Sequence, residues 1–130
     1  MSHTILQPAG WARPRGYANG VAAEGRQVFV SGQIGWDAEQ RIVSDDFGAQ
    51  ARQALANIVA VLATAGAKPE HLVRLTWFVT SRDEYNAALT KIGVSYRELI
   101  GRHYPAMSVV VVAGLLEPRA RVEIEATAVV

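Results

Sequence analysis

The run Val109-Val110-Val111-Val112-Ala113, entered through Tyr104-Pro105-Ala106-Met107-Ser108, limits the folds open to this chain more than any other stretch. Four successive β-branched side chains are stiff at χ1 and favour the pleated backbone. A strand with no polar alternation has no face to offer water, so it is expected to be a central strand covered on both sides. Pro105 cannot donate to a ladder and holds the residue before it extended, which puts it at the strand's entrance. Ala106, Met107 and Ser108 then stand at a strand mouth, a common place for a ligand pocket. The same residues equally describe how an ordinary core strand begins.

Around this strand the remaining elements follow from periodicity. Residues 1–16 read as an irregular tail broken by Pro8, Gly10, Pro14 and Gly16, with Trp11 packing down somewhere. Tyr17–Val21 and Gln27–Ile34 read as two strands of a hairpin turned at Gly25. Gly32 within the second marks a bulge or a close backbone approach, which makes Ser31-Gly32-Gln33 a second place to look for a ligand. After a polar loop from Trp36 to Ser44, Asp45 or Asp46 caps a helix whose apolar residues Phe47, Ala51, Leu55, Ile58, Val59 and Leu62 recur at three and four, ending at Ala65-Gly66. Leu72–Thr80 is a strand with Val73, Leu75, Trp77 and Val79 on one face. Ser81 or Asp83 caps a second helix reaching about Ile100, with Gly93 its weak interior point and Tyr85, Leu89, Ile92, Tyr96 and Leu99 its apolar stripe. Gly114 to Pro118 turn the chain into a last strand, Ala120–Val130, where Val122, Ile124, Ala126 and Ala128 alternate with polar residues.

This order predicts an α+β fold, a single mixed sheet with two long helices on one face, in one domain spanning residues 1–130. Helices on one face leave the other to be buried by association of copies. Thirteen basic and 12 acidic residues, net +1 and without runs of like sign, argue against nucleic acid or an anionic membrane surface as a partner. The absence of cysteine removes thiolate chemistry and disulfides. His3, His71 and His103 have no metal-ligand spacing, so no metal is expected. No signal-peptide layout and no apolar stretch near the ~20 residues of a membrane span predict a cytoplasmic protein.

With Tyr17, Ser31-Gly32-Gln33, Gln50 to Asn57, Ala65-Gly66, Pro105-Ala106 followed by Ser108, and Val122-Glu123-Ile124-Glu125-Ala126 in this order, the chain resembles the RidA (YjgF/YER057c-like) family from Tyr17 to Val130. The resemblance implies a chorismate-mutase-like fold and a homotrimer with ligand clefts at the subunit interfaces. It also implies hydrolysis of reactive enamines or imines to carbonyl compounds and ammonia, with water and no cofactor. Glu123 matches the glutamate that positions the hydrolytic water, Tyr17 and Ser31 match cleft residues, and Gly32 matches a backbone contact to ligand; Met107 and Ser108 complete the candidate substrate contacts.

Met107 stands where the deaminating relatives carry an arginine that grips the substrate carboxylate, and Gly93 falls nearest an expected asparagine. A thioether offers no forked donors to an anion, so an altered substrate preference is expected, for an uncharged, flat or hydrophobic group. Arg102 and His103, or Arg13 and Arg15 from the tail, are candidates for a replacement cation. Read without the resemblance, Glu123 and Glu125 share one strand face with Arg121 beside them and equally describe a solvated or ion-paired surface. Two functions remain open: an imine or enamine hydrolase with Glu123 and Tyr17 catalytic, or a non-enzymatic trimer that binds a small metabolite.

Overall fold

The computed structural model describes residues 3–130. Its elements in order are β1 (Thr4–Leu6), β2 (Gly20–Ala22), β3 (Gln27–Ile34), α1 (Phe47–Thr64), a 3-10 turn (Pro69–His71), β4 (Leu72–Val79), α2 (Arg82–Ala87), α3 (Leu89–Leu99), β5 (Ala106–Val111) and β6 (Val122–Val129). The main sheet has the order β3-β6-β4-β5, with β6 antiparallel to both neighbours and β4 parallel to β5. It is the mixed α+β sheet that the periodicity predicts.

Helix α1 forms as its sequence dictates, and its start decides between the two aspartates. Asp46 is the N-cap, its carboxylate accepting from the Ala49 N–H at 2.9 Å and from Lys91 Nζ at 2.7 Å, while Asp45 pairs with Arg119 at 2.9 Å. At the other end Gly66, at φ 71°, closes a Schellman turn in which the Ala67 N–H donates to Leu62 O and the Gly66 N–H to Ala63 O. Phe47, Ala51, Ala54, Leu55, Ile58 and Leu62 face the sheet and meet Leu72, Leu75, Trp77, Val79, Val122, Ile124, Ala126 and Ala128 in one core.

The polar face of α1 is a fastening. Gln50 is fully buried, yet its amide donates to Ser44 O and Arg119 O and accepts from the Arg121 N–H, so both loops beside the start of β6 hang on one side chain. Asn57 donates to Ile34 O and Trp36 O and holds the end of β3 in the same way.

Three expectations are corrected. First, the valine strand is not central: β5 is an edge strand ending at Val111, and Val109, Val110 and Val111 are 40, 41 and 53% exposed. The central strand is β6, with Val122, Ile124 and Ala128 fully buried. Helix α1 lies on β3 and β6, and α2 reaches β4 where Tyr85 meets Trp77, but among the described residues nothing covers both faces of the β5 valines.

Second, β2 pairs with β1 in a separate ribbon, Thr4 opposite Ala22, and not with β3. Gly25, at φ 143°, carries the chain past Val130, whose N–H and C=O both bond to Arg26, so the turn delivers β3 to β6. Third, the second helix is two. Ser81 caps it as expected, accepting from the Glu84 N–H, but Ala88 (φ −96°, ψ 2°) breaks it, well before Gly93. The bend lets α2 set Tyr85 edge-on to Phe47 and Trp77 while α3 buries Ile92 and Tyr96, and the restart leaves Leu89 exposed.

The Lys91 ammonium, and after it the Ala49 N–H, hold the Asp46 carboxyl below its ordinary 3.8. A depressed folded-state pKa means stabilisation present above 3.8 and lost as pH falls through the folded value. The ion pair is exposed and adds little, so the cap dominates: Asp46→Ala should lower unfolding free energy by about 1 kcal/mol at neutral pH. Chemical denaturation across pH checks this, the difference from wild type shrinking once the pH passes below 3.8.

Candidate functional site

Strand pairing divides the candidate residues into two groups, one on edge strand β3 and its neighbour β6, the other at the β5 edge. On the β3 side, the β3–β6 register slips between Val30 and Gln33, which is the bulge that Gly32 foretells. A Cβ on Gly32 would overlap the Glu123 carboxylate, with Glu123 Cδ at 2.6 Å and Cγ at 2.9 Å. Glycine is therefore the residue that lets this carboxylate lie flat against β3. Glu123 is half-buried, level with Ile34 on β3 and Phe78 on β4. Arg121, its neighbour two residues back, sends Nη1 to both carboxylate oxygens of Glu84 at 3.0 Å. Among the described residues no cation pairs with Glu123, so the ion-paired surface is not formed with Arg121. Ser31 is exposed beside it, with the Gln33 amide donating to Ser31 O at 3.2 Å.

On the β5 side, the Ala18 N–H donates to Pro105 O at 3.0 Å and Ala18 bridges Ala106 in parallel. This lays Tyr17 along the mouth of β5. Successive residues of β5 then point to opposite faces. Met107 lies level with Leu75 on the helix side, half-buried against the core, whereas Ser108 lies level with Thr76 and Glu125 on the open side. Ser108 and Glu123 thus share the open face, and Met107 does not. Between the edges β3 and β5 stand β6 and β4, a separation of roughly 14 Å at the usual strand spacing. One chain does not bring Tyr17, Met107 and Ser108 to Ser31, Gly32 and Glu123 around one small molecule.

Each edge has its own recess. Ser31 borders one of about 370 Å³ together with Phe29, Arg74, Glu125 and Thr127. Tyr17 borders one of about 570 Å³ whose walls include Trp11, Arg13, Arg102, His103 and Tyr104. Of the proposed replacement cations, Arg13, Arg102 and His103 therefore meet in one place, and Arg15 is not among its walls. Trp11 and Arg74 are site-bordering residues that the sequence reading did not single out as such; an isolated tail tryptophan and an alternating strand arginine carry no motif.

Tyr104 stacks on Tyr96 with centroids 5.3 Å apart, and Tyr96 Oη donates to His103 O at 2.6 Å. Burial pushes the Tyr96 phenol far up, so it keeps the proton it donates. His103 Nε2 lies 2.8 Å from Leu72 O, which fixes the ring. His3 and His71 likewise bond to backbone groups elsewhere, and the described residues contain no group of three histidines or carboxylates suited to a metal. Trp77 belongs to the core and leaves Tyr104 as the aromatic wall at the β5 mouth.

Comparison with known proteins puts this geometry in context. The family model described as Endoribonuclease L-PSP matches residues 11–130. The 2-iminobutanoate/2-iminopropanoate deaminase of Salmonella typhimurium is 36% identical over 132 residues, covering 99% of this chain and 98% of that protein. A Yersinia pestis protein of unknown function from the conserved Rid family, YyfB, superposes with a TM-score of 0.88 at 32% identity over 100% of both chains. The YjgF gene product of Escherichia coli gives 0.68 at 34% identity over 87% of each. A fold shared end to end and a family match across nearly the whole length establish that the chain belongs to the RidA/YjgF family, whose model carries the description Endoribonuclease L-PSP.

Proposed function

We propose that this protein is a cytoplasmic imine or enamine deaminase, and that its cleft forms where the β5 edge of one copy meets the β3 bulge of another in a homotrimer. The observation that carries the reading is the Glu123 carboxylate seated against Gly32 on the open face, with no cation paired to it among the described residues. The full-length likeness to a 2-iminobutanoate/2-iminopropanoate deaminase supports the same chemistry.

The reaction asks little of a protein. A protonated imine is already electrophilic, so it needs to be held with its C=N carbon against a water and a base to take that water's proton. In this reading Glu123 accepts one proton as the water oxygen bonds to carbon and the C=N π electrons move to nitrogen, giving a neutral carbinolamine. Glu123 returns the proton to nitrogen, the C–N bond breaks to release ammonia, and the hydroxyl gives its proton back to Glu123 and on to the ammonia as ammonium, leaving the carbonyl. Tyr17 supplies a hydroxyl at the same cleft, Ser31, Ser108 and the Gly32 backbone hold the substrate, and no cofactor is required.

Met107, turned to the helix side at the mouth of β5, leaves that mouth without a grip on a carboxylate. An apolar thioether packed on the core offers nothing to a carboxylate, so small 2-iminoacids are poor substrates. RNA cleavage is the weaker reading despite the family's description, because a +1 chain with mixed surface charge lacks the basic stripe that RNA binding uses.

Imines generated in the assay by an amino-acid oxidase, with semicarbazide reporting what escapes hydrolysis, test this directly. Glu123→Gln should lower turnover by about 10²–10⁴-fold with the fold and assembly intact. Undiminished turnover removes Glu123 from the chemistry, and no turnover in wild type on any imine favours the ligand-binding trimer. In the same assay Met107→Arg should raise turnover of the small imine made from alanine at least about tenfold, the scale of a gained charged hydrogen bond. Equal rates would show that Met107 does not set the preference.

A further inference from the structure

The recess beside Tyr17 differs in chemistry from the protein's other hollows. Its walls hold Arg13 and Arg102 and no carboxylate, whereas the hollow at the start of α1 contains Asp45, Asp46 and Glu84, and the one at Ser31 contains Glu125. Neither guanidinium is in an ion pair among the described residues, although Arg26, Arg52, Arg119 and Arg121 all bond to acceptors on other elements. Its aromatic wall is open: Trp11 is 62% and Tyr17 42% exposed, a large apolar area to leave in water unless something covers it.

The wall is also built. The Gln7 amide donates to Trp11 O and Ala12 O at 3.2 Å, its oxygen accepts from Asn19 Nδ2 at 2.7 Å, and the Trp11 N–H donates to Pro8 O. The stretch read as an irregular tail, with Trp11 packing down, is a self-bonded loop tied to the mouth of β5 through Ala18 and Pro105. About 570 Å³ is within the size range of small-ligand sites and exceeds what a three- or four-carbon acid fills.

We infer that this recess is a subsite for an aromatic carboxylate, the ring lying against Trp11, Tyr17 and Tyr104 and the anion held by Arg13 and Arg102. The inference rests on the deaminase reading and gives it a substrate class: 2-imino or 2-oxo acids with an aromatic side chain. The charge that Met107 lacks is supplied from the tail loop and the α3–β5 connection. Forked guanidinium donors match a carboxylate, and flat rings match an aromatic side chain.

Titration calorimetry with phenylpyruvate, pyruvate and phenylacetone separates the two contributions, since the second lacks the ring and the third the charge. Phenylpyruvate should bind at least about tenfold tighter than either. The exposed pair Arg13→Gln/Arg102→Gln should weaken phenylpyruvate by about 10–100-fold and leave phenylacetone unchanged. Trp11→Ala should weaken both ring-bearing probes and leave pyruvate unchanged. No measurable phenylpyruvate binding, equal binding by the arginine variant, or pyruvate binding tightest overturns the subsite. Deamination is read separately: arginine-dependent phenylpyruvate binding with no imine turnover sinks the deaminase reading and keeps the subsite, while turnover with arginine-insensitive binding does the reverse.

Discussion

The structure is governed by a strand that its own chain leaves uncovered. Val109, Val110 and Val111 alternate between the two faces of the sheet and are exposed on both, while α1 packs on β3 and β6 at the far side of the sheet. An apolar parallel edge strand open to water favours association. The proposed association would also account for the division of the candidate residues. Tyr17 and Ser108 stand at this edge and Ser31, Gly32 and Glu123 at or beside the other, so a second copy is what can bring the groups together.

Within the chain, precision is concentrated at the β3 bulge. The slip between Val30 and Gln33 leaves Gly32 without a side chain against the Glu123 carboxylate, which occupies the vacated space. Gln50 and Asn57 hold the segments that feed the two strands. With Arg121 committed to Glu84, a carboxylate so positioned is in no ion pair among the described residues.

Much of this was legible from residues. The helical period at Phe47 to Leu62 and the strand alternation at Val122 to Ala128 are local patterns that tertiary packing leaves intact, and Gly32 announced its bulge because glycine inside a strand has few other uses. The valine run was read as a central strand covered on both faces and is an edge strand exposed on both, since four valines signal strand conformation and say nothing of a strand's place in the sheet. The break at Ala88 has no residue signature, because alanine suits a helix interior, and it follows from Tyr85 reaching Phe47 and Trp77. The pairing of β1 with β2 and the recess at Trp11 were hidden for a similar reason: both depend on contacts between short irregular segments, where periodicity is silent.

The central claim, that the cleft takes Glu123 from one copy and the β5 edge from another, is tested most directly by mixing two inactive proteins. One carries Glu123→Gln; the other keeps Glu123 and carries Tyr17→Ala with Ser108→Ala. Unfolded together and refolded as mixed assemblies, they should recover about a quarter of wild-type imine turnover, the share of clefts that receive an intact edge from each partner. Each variant refolded alone should recover none. If the mixture is as inactive as its components while its subunits have exchanged, the two groups act within a single chain and the account is wrong.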